Sequence, residues 1–130
     1  TTLADETLRR EAEYRRGLHD AALVLAPQSI VGVPRYRVYE AMSAGRLPVW
    51  VGDDLMLPLP RRVDWSRVAV FVDSREVDDT GEILRKWLRD TLPADHLARE
   101  AEAQRAYREV LHPNLFPQMM TLEVKERLDL

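Results

Sequence analysis

Three short apolar runs constrain this chain most: A-A-L-V-L-A at 21–26, L-P-V-W-V-G at 47–52 and V-A-V-F-V at 68–72. Each is continuous rather than alternating, the pattern of a strand buried on both faces of a parallel sheet. None approaches the roughly 20 residues of a membrane-spanning helix. Between the first two lies R-Y-R-V-Y-E-A-M-S-A, residues 35–44, which predicts a helix capped by Gly45. Parallel neighbours require such a crossover, so the order strand, helix, strand fixes the class. The expected fold is α/β, a Rossmann-like, mainly parallel sheet flanked by helices.

The remaining segments fill in around that sheet. Residues 4–20 predict a helix with acids early and arginines late, carrying an approximate stripe of Leu8, Ala12 and Leu18. Asp64-Trp65-Ser66 reads as a one-turn helix or turn before the third strand, with Asp64 capping it. Helices are predicted at about 79–91 and 94–111, with Pro93 near the first position of the second, and at 118–128 after the break H-P-N-L-F-P. Leu84, Trp87, Leu88 and Leu92 sit at helical spacing and are expected to pack inward. No repeat or linker divides the 130 residues, so one domain spanning 1–130 is expected.

Composition excludes several classes. A net charge of −3 gives no electrostatic case for nucleic acid. The absence of cysteine removes disulfides, thiol catalysis and cysteine metal sites together. His19, His96 and His112 are far apart, and none is paired with a serine or carboxylate in a nucleophile arrangement. No catalytic base is therefore assigned. Asp53 and Asp54 have no histidine or further carboxylate at metal-ligand spacing and read as turn residues. A regulatory domain with Asp53 as phosphoacceptor would need an acidic cluster and a switch lysine that the sequence lacks. The charged run 99–109 reads as a solvated helix face laced with i, i+4 pairs, or through its alanines as an interhelix contact.

Ligands of parallel sheets bind beyond the carboxyl ends of the strands. Here that means the loop 27–34 with the head of the following helix, and the loop 52–58. The first places Arg37 and Glu40 one helical turn apart. As a surface ion pair they are worth about 0.2–0.5 kcal/mol. As a binding pair at a positive helix end, Arg37 would meet a diphosphate through its planar fork, and Glu40 would accept from ribose hydroxyls. Arg35 is a second phosphate candidate and Tyr36 or Tyr39 could stack on a base, against the plainer reading of each as a packing or surface residue; Gly32 serves the turn or lets backbone amides approach a phosphate.

The series A-L-V-L-A-P, then Y-R-V-Y-E-A-M-S-A-G-R-L-P-V-W-V-G-D, then L-P with R-V-D-W-S and A-V-F-V, resembles the C-terminal part of exostosin-family glycosyltransferases. The likeness runs in order over roughly residues 20–90. The E-A-M-S-A-G-R-L-P-V segment is of a kind shared by many GT-B glycosyltransferases; the arginine before it and D-W after it narrow the match. The resemblance implies the nucleotide-sugar donor half of an inverting GT-B enzyme acting in glycan or polysaccharide synthesis, with extra C-terminal helices. UDP-sugar would be the donor, Arg37 its phosphate contact and Glu40 its ribose contact, with no metal cofactor. It implies further that the catalytic base and the acceptor site belong to an N-terminal half outside this sequence, so that the isolated chain is not expected to be active. The family commonly has cysteine where this chain has Arg46, a departure that touches local packing. The alternative is a non-catalytic interaction or assembly module that keeps the half-fold, with self-association left open. Compartment follows source: cytoplasmic for a bacterial chain, Golgi-lumenal for a membrane-anchored eukaryotic parent.

Overall fold

The computed structural model describes residues 2–27, 36–53 and 56–129, the side chains at 14, 15 and 17–19 excepted. In chain order these form α1 (Leu3–Asp20), β1 (Leu23–Pro27), α2 (Tyr36–Ser43), β2 (Leu47–Val51), α3 (Trp65–Val68) and β3 (Val70–Val72). A 3-10 turn at Ser74–Asp79 leads into α4 (Thr80–Asp90) and α5 (Pro93–Ala106), then a π-turn at Tyr107–Leu111 and α6 (Phe116–Arg127). The sheet has the order β1-β2-β3 and is parallel throughout. The chain is thus α/β, with a parallel sheet flanked by helices.

The two-residue period of a strand sorts the apolar side chains between two faces. On one, Ala26, Trp50 and Phe71 stand in register across the three strands. Trp50 is fully buried, meeting Trp65 edge-on at 5.5 Å and stacking on Phe71 at 6.0 Å. Val38, Met42, Leu47, Ala103 and Leu111 extend this core. The opposite face gathers Val49, Val70 and Val72 against Ile83, Leu84 and Trp87. An aromatic side chain buries about 150–250 Å², and at about 25 cal/mol per Å² each buried tryptophan is worth about 4–6 kcal/mol. Exposed ion pairs, at about 0–1 kcal/mol, are minor beside that.

Two local devices make the α2–β2 corner. Gly45 has φ +71°, and the N–H groups of Gly45 and Arg46 bond to the carbonyls of Met42 (3.0 Å) and Ala41 (2.9 Å). This is the Schellman pattern, and it confirms the expected glycine cap. Arg46 then reaches Glu100 of α5 at 3.0 Å, tying the corner to that helix. Pro48, which cannot donate to a ladder, is paired in register with Val24 alone, because pairing to β3 begins at Val49.

Several sequence expectations shift. Leu88 and Leu92 are exposed, because the buried face of α4 is set by Ile83, Leu84 and Trp87 and Leu92 lies beyond the helix end. The helix expected over 94–111 changes to a π-turn at Tyr107. Asp64 precedes α3 without bonding its amides, and its carboxylate accepts instead from the Ser66 hydroxyl at 2.5 Å. In the charged run, Arg99 pairs with Asp95 (2.9 Å) along α5, and His96 Nε2 stands 3.8 Å from Glu100 on the same helix. Glu100 goes to Arg46, and Glu102 takes two bonds from Arg67 of α3, at 2.9 and 3.0 Å. Ala103 is buried in the core, so the interhelix reading of the alanines holds there.

Asp95 and Glu102 are both held below the ordinary carboxylate range, Asp95 chiefly by its hydrogen bond from Arg99 and Glu102 by its bonds from Arg67. A depressed carboxylate contributes stability that is complete above its unfolded value and lost as pH falls through the folded one. The melting temperature is expected to fall as pH is taken from about 5 to about 3, and the fall to be shallower in Arg67→Met. Thermal melts of both proteins across that range check it. At Gly45 an added Cβ meets the Gln104 side chain at an ordinary 3.6 Å, so only the backbone resists substitution. Gly45→Ala is expected to cost about 1–2 kcal/mol in urea denaturation, and Gly45→Asn less.

Candidate functional site

Helix α2 has two distinct faces. Val38, Ala41 and Met42 are buried against the sheet and fix its rotation. Tyr36, Tyr39, Glu40 and Ser43, at i, i+3, i+4 and i+7, then share the other side. They form one wall of a cleft of about 430 Å³ whose far wall is Tyr107, Leu111, Pro113, Phe116 and Pro117. Glu40 is half-buried there, and Tyr36 is 85% exposed at the helix head. Arg37 is exposed on α2 and lies outside the cleft lining. Gly32 and Arg35, with the rest of 28–35, lie outside the described residues. Of the sequence candidates, the structure brings Tyr36 and Glu40 to a common cleft, with Tyr39 beside them.

A second cleft of about 460 Å³ shares Tyr39 and Phe116 with the first. It is mainly apolar, through Met56, Leu57, Met120 and Val124. Its rim residue Leu59 is buried with φ +51°, a conformation costing about 1–2 kcal/mol, held by Arg62 and Val63 N–H bonds to its carbonyl. The indole of Trp65 also donates to the Pro58 carbonyl at 2.8 Å. Glu123, only 4% exposed, accepts from the Arg61 backbone N–H (3.2 Å) and from the Arg127 guanidinium (3.3 Å), so its charge is compensated.

Burial raises the Tyr39 phenol above its ordinary value, so it serves these clefts as a neutral hydroxyl. Asp53 is no isolated turn residue. It accepts from the Ser74 backbone N–H (3.2 Å) and from the Ser74 hydroxyl, joining the end of β2 to the 3-10 turn. Its neighbour Asp54 lies outside the described residues. Among the described residues, no group of three or more His, Cys, Asp or Glu side chains is placed to hold a metal ion, and no helix is long and apolar enough to cross a membrane. His96 Nε2 stands 3.2 Å from the Ala22 carbonyl and its ring meets Trp87 edge-on, while His112 packs edge-on against Tyr107.

Tyr107, Phe116 and Glu123 were not singled out from sequence as site residues. The one signal for the first two was the proline-aromatic break that follows Tyr107. Glu123 looks like any helical glutamate until the turn around Leu59 is folded over it.

No family model matches the chain. It is similar to a probable glucuronosyltransferase of Oryza sativa subsp. japonica, 33% identical over 64 residues, which is 49% of this chain and 14% of that protein. It is also similar to Exostosin-1 of Drosophila melanogaster, 29% identical over 91 residues, covering 65% of this chain and 11% of that protein. A probable beta-1,4-xylosyltransferase of Arabidopsis thaliana is 38% identical over 48 residues, 37% of this chain and 12% of that protein. The chain spans between 11% and 14% of the length of these three relatives. The likeness to exostosin-family glycosyltransferases therefore rests on these relatives as well as on the motif.

In an ultraviolet titration one tyrosine is expected to ionise above the ordinary value of about 10, and the late component to vanish in Tyr39→Phe.

Proposed function

We propose that this chain, which resembles exostosin-family glycosyltransferases, is the nucleotide-sugar-binding C-terminal half of a two-domain GT-B enzyme that uses a UDP-sugar donor. The observation that carries the reading is the position of Glu40. It lines a cleft on α2, the helix that follows the carboxyl end of β1, and ligands of parallel sheets bind beyond such strand ends. In this reading Glu40 accepts from the ribose hydroxyls, while Arg37, three residues nearer the helix head, meets the diphosphate. Arg35, Gly32 and Tyr36 complete the donor contacts. The N-terminus of a helix favours a phosphate there. The domain would hold and orient the donor of an inverting transfer, with acceptor and general base supplied by another domain. The relatives named as glucuronosyltransferase and xylosyltransferase support glycan or polysaccharide synthesis as the setting.

Calorimetric titration with UDP tests the proposal. Binding is expected for the native chain. Hydrogen bonds to charged groups are worth about 1.5–3 kcal/mol, so Glu40→Ala should weaken UDP about tenfold or more. Arg37→Ala should weaken UDP more than it weakens uridine. Unchanged heats at millimolar UDP, or an affinity indifferent to Glu40→Ala, would overturn it. The alternative interaction module draws on α1, where Leu3 and Leu8 are exposed. A chain that ignores UDP but self-associates in light scattering would favour that alternative.

A further inference from the structure

The cleft beside Glu40 has a wall that the donor-site motif does not contain. It comes from the π-turn Tyr107–Leu111, far along the chain. π-turns are rare and concentrate at functional sites. This one is closed by a bond from the His112 N–H to the Tyr107 carbonyl at 2.8 Å. Its placement against α2 is fixed one turn earlier, where the Gln104 side-chain amide donates to the Ser43 carbonyl at 3.3 Å. Tyr107 follows Gln104 by three residues and so stands on the same helical side. Its ring is braced by His112, edge-on at 5.7 Å. His112 is itself held by an Asn114 N–H bond to Nδ1 at 3.1 Å, which leaves the proton of the neutral imidazole on Nε2.

Resting on the donor-site reading, we propose that Tyr107 is the platform on which the nucleobase of the bound nucleotide stacks, making the C-terminal π-turn part of the donor site. The shared cleft supports this. Glu40 lies on one wall and Tyr107 on the other, so a base carried by a ribose held at Glu40 comes within reach of the Tyr107 ring. The lining there suits a planar heterocycle: aromatic and aliphatic walls with a few polar atoms from Glu40, Ser43 and the tyrosine hydroxyls. Stacking on an aromatic side chain is worth enough to be read in affinity.

The test compares UDP, UDP-glucose and ribose 5-phosphate on the native chain, Tyr107→Leu and Tyr107→Phe. Leucine keeps apolar bulk without a ring face, and phenylalanine keeps the face without the hydroxyl. Tyr107→Leu is expected to weaken UDP about tenfold while leaving ribose 5-phosphate unchanged, and Tyr107→Phe to bind UDP as the native chain does. UDP binding indifferent to Tyr107→Leu overturns the stacking role and leaves the donor-site reading standing. Equal losses for UDP and ribose 5-phosphate, or a loss confined to UDP-glucose, also overturn it. Failure of the native chain to bind UDP overturns both.

Discussion

Strand β2 has no face it can turn to water. Leu47, Pro48, Val49 and Trp50 are all buried, and that single condition dictates the architecture. Cover is required on both sides, so the chain must supply helices before and after the strand. Trp50 directs one layer, built from α2, α3 and α5, while Val49 and its neighbours direct the smaller one built from α4. Burial on this scale far exceeds what the numerous surface charges contribute. The charges do a different job: Arg46, Arg67 and their carboxylate partners set how α5 lies across the corner and across α3.

What could be read from sequence follows the range of the forces involved. The strands were legible because an uninterrupted apolar run needs no partner to be recognised. The cap at Gly45 was legible because only glycine enters the left-handed region cheaply. Arg37 and Glu40 were visible as neighbours on one turn. The residues facing Glu40 were not, because Tyr107 and Phe116 arrive there through tertiary packing that no local periodicity encodes. The inward packing expected of Leu88 and Leu92 failed for the same reason: spacing says which residues share a side, and only the rest of the fold says which side is covered. Arg46 illustrates the point from the other direction. As a departure from a family pattern it looked incidental, yet it holds Glu100 across 54 positions of sequence.

The two faces of α2 separate labour on one short helix. Val38, Ala41 and Met42 belong to the core, and Tyr36, Tyr39, Glu40 and Ser43 to the cleft. Tyr39 also packs against the core, but Tyr36, Glu40 and Ser43 stand outside it, while the inward positions cannot change without disturbing the sheet. If the cleft is the donor site proposed above, heritable variation at 36, 40 and 43 would retune which molecule is held while the scaffold persists, so that a lineage carrying this helix could diversify in ligand choice without first having to rebuild its fold.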